Sequence, residues 1–312
     1  MGFVKTFKMS AKPVIGGVVV SGKNNYAIAL KKSSGNILLD KGKMNFVSNL
    51  PIPFIRGIIA LIEKGSLWCK MLLYSANYFD NEDVVEESME ILSRKEVLDR
   101  ENKQKAENAM NFIAFLGILC VMAIAILGFF ILPVYVSSMF FNNVEDDSWL
   151  LFNIVQCCVR MAILMIYFIV IKCVGGRVAE ARRYCAAINK TINCYEAGRE
   201  LSLENVKRSS GFLPRSFVYV LFLTLVIFSV SLIFIKLDNL LLALLIRFGI
   251  LLLSIGISYE ISRFFGMFNG VFFRGLAFIF GMWIEFFTTS KPTDMEIYVA
   301  ITAVKNSMIE EQ

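Results

Sequence analysis

The sequence predicts a mainly α-helical integral membrane protein: a four-helix transmembrane bundle with a small cytoplasmic β-meander plus helices. Three observations carry that prediction. Of 312 residues, 56% are hydrophobic, and 28 Phe stand against only 6 Pro, the profile of a membrane protein with a substantial soluble fraction. No charged residue occurs between Glu107 and Glu145, a stretch longer than the roughly 20 residues a helix needs to cross a bilayer. Near the start, short β-rich runs are separated by turn signals. The net charge of +6 does not point to nucleic acid, because the basic residues flank apolar segments as they do at an anionic membrane surface.

The elements follow in order. The start, "MGFVKTFKMSAKP", has no apolar core of a signal peptide, and its match to a myristoylation pattern at Gly2 and Thr6 is read as chance. Residues 14–40 form the meander: "VIGGVVV" and "YAIAL" are separated by "SGKNN", and "KKSSGN" precedes "ILL". It is too small to be stable alone. Residues 53–78 read as an amphipathic helix opened by Pro53, with Phe54, Ile58, Ile62 and Leu72 at helical spacing and Trp68 along its length. Arg56, Glu63, Lys64 and Lys70 rule out a span, so this helix lies on the bilayer surface or packs under the meander. Residues 80–107 read as a solvated helix, acidic first and basic later, an order that complements the helix dipole. Residues 1–107 thus form the first unit.

Four spans are expected, near 112–135, 149–171, 216–235 and 239–257. They define units 108–172 and 216–257 on either side of a basic loop, 173–215. The connector "SSMFFNNVEDDS" has three acids and no Lys or Arg, whereas the loop from Cys173 to Arg215 holds eight basic residues. The positive-inside rule puts that loop and both termini in the cytoplasm. Residues 268–287 are apolar, but Arg274, Glu285 and their glycines argue for an in-plane or re-entrant segment. In the last unit, 258–312, the tail reads as a soluble amphipathic helix with Ile297, Ala300, Ile301 and Val304 as its stripe and Asp294 as its cap.

Little of this carries chemistry outright. The seven cysteines show no disulfide framework and no metal knuckle, and read as free thiols in a reducing compartment. There is no histidine. In the loop, Cys185, Cys194 and Glu196 are the weak catalytic candidates. A thiol needs a base or a depressed pKa, and a catalytic zinc needs three ligands and an open position. The alternative is a basic, solvated hairpin between spans. Arg160 and Arg247 lie at membrane depth, roughly 17 and 12 Å from the outer ends of their spans at 1.5 Å per residue. They either snorkel toward head groups or line a pocket for an anionic group.

Five blocks in order resemble the YqhQ-like bacterial membrane proteins, a family of unknown function described as predicted metal-dependent enzymes. They are "VIGGVVVSG" (14–22), "PFIRGIIALIEKGSLWCKMLLYSAN" (53–77, with Arg56 and Asn77), "NKTINCYEAGRELSLENVKRSS" (189–210), "GISYEISRFFG" (256–266) and "FFTTSKPTDMEIYVAITAVK" (286–305). The resemblance implies a site at the central loop, where Tyr184, Lys190, Thr191, Asn193, Tyr195 and Glu196 are matched and Arg215 is retained. The reactive groups it implies are missing. The family's histidine–glycine–alanine–glutamate–histidine run reads Cys185, Ala186, Ala187, Ile188, Asn189. A further family histidine is Leu213, a cysteine–glycine–threonine is Ser216, Phe217, Val218, and an early glutamate and arginine are Gly16 and Ser21.

The expected function is therefore a non-catalytic scaffold or partner subunit of the bacterial plasma membrane, with no metal and no cofactor, in membrane-protein biogenesis or envelope homeostasis. Its partners are membrane lipid and another membrane protein or a second copy, not nucleic acid. Two rivals remain: an enzyme using Cys, Glu or a metal on a membrane-associated substrate, and a protein that handles anionic lipid through Arg160 and Arg247.

Overall fold

The computed structural model describes residues 9–22, 25–32, 35–43, 52–85, 127–141, 148–213, 216–236, 240–267 and 281–308. Four strands, β1 (Ser10–Val14), β2 (Gly17–Ser21), β3 (Asn25–Lys31) and β4 (Ile37–Lys43), form one antiparallel meander in chain order. "VIGGVVV", read as one strand, is two. The chain reverses at Ile15–Gly16, so that Val14 pairs with Gly17. Gly16 has φ +63°, and a Cβ there would meet the Phe79 ring at 2.2 Å. Only glycine gives both the left-handed turn and that close approach.

The pleat then assigns the faces. Val18 and Val20 point one way and Val19 the other, with Val18 opposite Ala29 and Val19 opposite Ile28. Val18, Val20 and Ala29 join one apolar cluster, while Val14, Val19, Ile28 and Leu30 join a second with Trp68, Met71 and Tyr78. Every residue of β2 is buried, which explains its unbroken valine run: a strand covered on both faces has no polar side to show. Each fully buried valine contributes about 1.5–3 kcal/mol.

Helix α1 (Ile55–Val85) covers the second face. It unites the expected 53–78 helix with the first residues of the expected charged helix; the rest of 80–107 lies outside the described residues. The Trp68 indole donates to the Pro13 carbonyl at 2.8 Å, and Ser75 Oγ accepts from the Ile15 amide at 3.2 Å. The covering of the first face comes from α4 (Gly176–Glu196) and α9 (Asp294–Met308), with the short α5 (Leu203–Arg208) beside them. The soluble layer is thus three-deep: helix, sheet, helices. Asp294 is not the cap of α9. Thr293 Oγ1 accepts from the Glu296 amide at 3.4 Å and Glu296 Oε2 from the Thr293 amide at 2.7 Å, a capping box. Asp294 instead pairs with Lys207 at 2.6 Å. The expected stripe of α9, Ile297, Ala300, Ile301 and Val304, is buried together with Val299 and Ala303, while Asp294, Tyr298 and Lys305 stay exposed.

The apolar helices are α2 (Leu132–Phe140, entered through a π-helical turn, Leu127–Ile131), α3 (Trp149–Cys173), α6 (Phe217–Ser231, extended by a 3₁₀ turn to Phe234) and α7 (Leu240–Met267). A helix at 281–288, α8, precedes α9. Among the described residues three helices are long and apolar enough to cross a membrane: α3, Phe217–Phe234 and Leu245–Phe265. α3 alone extends about 38 Å at 1.5 Å per residue, against a hydrocarbon core of about 30 Å. Its outer side chains are bare, Ile166 at 60% and Leu151 at 54% exposed, an arrangement that suits lipid and not water.

The first expected span, 112–135, lies mostly outside the described residues. Pro133 does not mark its exit; it sits in the first turn of α2, where a missing N–H costs nothing, and the helix continues to Phe140. α7 runs ten residues beyond the expected end of the fourth span. Its Glu260 is neutralised by a two-pronged pair with Arg56, Nε to Oε1 at 2.6 Å and Nη2 to Oε2, so the helix need not stop at the acid. At the same junction Gly256 faces Phe54, where a Cβ would come within 3.0 Å of the Phe54 carbonyl. Arg56, a site candidate in sequence, thereby fastens α1 to an apolar helix. Of residues 268–287, 268–280 lie outside the described residues, and the remainder opens α8.

Lys12, on β1, is 5% exposed. Its ammonium donates to the Lys64 carbonyl at 2.8 Å and lies 3.7 Å from the Phe217 ring centroid and 5.4 Å from that of Trp68. Burial pushes this amine down to about 7; the Lys64 charge adds to the shift and Cys69 opposes it. The unfolded chain holds the proton up to about pH 10. Between the two values the unfolded state binds more protons, so stability rises with pH. The melting midpoint of the purified protein should climb between about pH 7 and pH 9.5, and Lys12→Met should flatten that climb. An unchanged slope in the variant would show that Lys12 is not its source.

Candidate functional site

The central segment is not a solvated hairpin. It begins as α4, held on four sides. Toward the sheet, the Tyr184 hydroxyl donates to the Gly16 carbonyl at 3.1 Å, and burial holds this phenol well above its ordinary value. Toward α9, Arg183 Nε meets Glu296 Oε1 at 2.6 Å. Toward α3, Arg182 Nη1 donates to the carbonyls of Ile171, at 2.6 Å, and Lys172. Those carbonyls belong to the last turn of α3, where helical partners run out and positive charge is favoured. On the fourth side, Lys190 donates to the carbonyls of Lys207 at 3.0 Å and Ser209 at 2.8 Å, closing the end of α5 in the same way. Asn193 Nδ2 donates to the carbonyls of Ser210 and Phe212, both at 2.8 Å. Thr191 Oγ1 bonds back to the Ala187 carbonyl at 2.8 Å.

The loop's matched polar residues therefore serve main-chain carbonyls. Tyr195 packs at the edge of the first core cluster, and Glu196 ends the helix. Glu196 and Glu200 do not share a helical face, because α4 stops between them and the chain turns at Gly198 with φ +67°. Arg215 lies outside the described residues. Asn77 falls within α1, but its side chain is also outside what is described.

Cys194 is buried, and its thiol donates to the Glu200 carbonyl at 3.6 Å. Cys185 is only partly covered as a residue, yet desolvation still pushes its thiol up to about 12. Nine residues apart on one helix, the two sulfurs are separated by about 14 Å along the axis. They cannot share an ion whose bonds to sulfur are about 2.3 Å. Among the described residues no three His, Cys, Asp or Glu side chains come together as a metal site. The donor set does not fit the metal that the family resemblance implies.

The structure also explains what replaced that set. Ile188 and Leu213 stand where the resemblance places a glutamate and a histidine, and both join the apolar cluster of Val18, Ala187, Cys194 and Ile301. Gly16, at the position of the family's early glutamate, lies against Tyr184, one residue before Cys185. Positions far apart in sequence converge, but on packed hydrocarbon. Arg183 and Glu296 form the strongest polar contact here, and sequence reading passed over both. It also passed over Glu285 as a site residue. Glu285 sits against Gly211, where a Cβ would come within 2.4 Å of Oε1. Burial raises its carboxyl above the usual range, and nearby Lys190 opposes that shift. No local sequence pattern marks these residues, since their partners are some 75 to 115 positions away.

Comparison with known proteins agrees with this framework. A family model described as "Protein of unknown function (DUF1385)" matches residues 52–310. The chain is 26% identical over 301 residues to "Uncharacterized protein YqhQ" of Bacillus subtilis (strain 168), covering 92% of this chain and 88% of that protein. No solved structure matches.

The thiol environment gives a direct check. At pH 8 a thiol raised to about 12 holds roughly three orders of magnitude less thiolate than an ordinary cysteine. Peptide mass spectrometry after maleimide treatment should find Cys185 modified at least ~100-fold more slowly in folded than in denatured protein. Equal rates would mean that the pocket around it is open.

Proposed function

The chain belongs to the DUF1385 family of proteins of unknown function, and from that membership we propose that it is a non-catalytic scaffold of the bacterial plasma membrane. In this reading the chain passes the membrane several times. Its sheet, α1, α4, α5 and α9 form a cytoplasmic layer joined rigidly to the inner ends of the membrane helices. The layer presents a fixed surface to another membrane protein or a second copy.

One observation supports the reading above others: the positions that the family resemblance marks as reactive are filled with core side chains, Ile188 and Leu213. Exchanging a buried charged set for packed hydrocarbon is often neutral or stabilising, so the framework gains rigidity as it loses chemistry. The two cysteines do not restore a reaction, because Cys185 is desolvated and Cys194 bonds a carbonyl. The basic bias of residues 173–215 supports the cytoplasmic placement. A role in membrane-protein biogenesis or envelope homeostasis fits a rigid layer at the membrane.

The test is complementation of a strain lacking the gene. Cys185→Ala with Cys194→Ala should complement fully, as should Glu196→Gln. Asn193→Leu leaves the Ser210 and Phe212 carbonyls unpaired, a cost of about 1–3 kcal/mol, and should reduce both protein level and complementation. Lost complementation in the double cysteine variant, at normal protein level and melting midpoint, would overturn the scaffold reading in favour of thiol chemistry.

A further inference from the structure

Two arginines of the apolar helices, Arg160 and Arg247, have no carboxylate partner among the described residues. Arg160 lies near the middle of α3, eleven residues from Trp149 and thirteen from Cys173, or about 17 and 20 Å from its two ends. It is 1% exposed, one of the largest fully buried side chains in the protein. Snorkelling does not describe it, since its contacts point inward. Nε donates to the Phe129 carbonyl at 3.2 Å, Nη2 to Gln156 Oε1 at 3.1 Å, and the guanidinium sits 6.0 Å from the Phe228 ring centroid. Phe129 belongs to the π-helical turn before α2, a geometry that re-aims carbonyls and recurs at functional sites. These two hydrogen bonds engage two of the five N–H donors of a guanidinium.

Arg247, on α7, lies within electrostatic reach of Arg160. Its Nε is buried and has no hydrogen-bond partner among the described residues. Across α2, α3, α6 and α7 the described sequence has one acid, Glu260, and Arg56 holds it. Two like charges within reach of each other among apolar helices repel and favour a counter-charge between them.

A second observation is the polar face on which Arg160 lies. Asn153, Gln156 and Arg160 follow one another at spacings of three and four, on one face of α3. Asn153 donates to the carbonyls of Ile233 at 3.3 Å and Ile235 at 3.0 Å, and Gln156 donates to Asn153 Oδ1 at 3.5 Å. This polar face runs about 11 Å from Asn153 to Arg160, starting one turn from the Trp149 end of the helix. At the same end, Ser137 of α2 has a buried hydroxyl without a partner among the described residues.

We propose that Arg160 and Arg247 form an anion site inside the helices that takes a phosphate group, entering along the Asn153–Gln156 face. A guanidinium binds phosphate through parallel N–H donors, and two of them balance a phosphate monoester dianion and more than balance the single charge of a diester. The group is the head of an anionic phospholipid drawn inward or a free phosphate. This site is independent of the scaffold reading, because none of its residues belongs to the soluble layer.

The experiment uses the full-length protein, purified in a phosphorus-free detergent, with total phosphorus measured per mole of protein and organic extracts examined by mass spectrometry. Wild type should retain about one phospholipid per chain. Arg247→Leu should retain at least five-fold less, with Arg247→Lys intermediate, while its circular dichroism stays that of wild type. Added phosphatidylglycerol should raise the melting midpoint of delipidated wild type and not that of Arg247→Leu. If sodium phosphate gives that rise and phosphatidylglycerol does not, the ligand is free phosphate. Arg160→Gln is the second variant. Should it fail to fold, Arg247→Leu still decides. Equal phosphorus in wild type and Arg247→Leu, or no midpoint response to either probe, overturns the site.

Discussion

The central strand Gly17–Ser21 is buried on both faces, and the rest of the soluble layer is arranged around that fact. A four-stranded meander has too little apolar surface to stand in water, so each face needs a helical cover. One cover, α1, is local in sequence. The other, α4 with α9, arrives from residues 176–196 and 294–308, on the far sides of the apolar helices. Folding the sheet therefore requires the chain to return to it twice, and each return fixes where an apolar helix begins or ends.

Polar contacts then tie this layer to the apolar helices at specific points. Arg182 closes the last turn of α3, and Arg56 holds Glu260 of α7. Each is a cation at a helix end or on a lone acid, the arrangement that needs least from its surroundings. α6 begins at Phe217, whose ring meets Trp68 of α1 at 6.3 Å and lies over Lys12. The consequence is a joint made at several separate points.

The central segment is braced by polar contacts on several sides. Tyr184 reaches the turn at Gly16, Lys190 and Asn193 grip residues 207–212, and Glu296 braces Arg183. Between them, Ala187, Ile188 and Leu213 fill the space with hydrocarbon. Among the described residues, Arg160 and Arg247 lie in the apolar helices without a carboxylate partner.

The sequence by itself determined the local features: apolar runs long enough to cross a bilayer, a meander punctuated by turns, and the absence of histidine. Those are properties of neighbours along the chain, written in composition and period. Only the tertiary structure decided that "VIGGVVV" is two strands turning at Gly16, where the Phe79 ring occupies the space a side chain would need. It also decided that residues 176–196 are a core helix, although their many charges read as solvated. The apolar face of that helix is buried, and half-exposed Arg182, Arg183 and Lys190 at the margin each find a carbonyl or carboxylate on another segment. Long-range pairings of that kind leave no periodic trace, so a charged helix that is buried and one that is solvated look alike until the partners are in place.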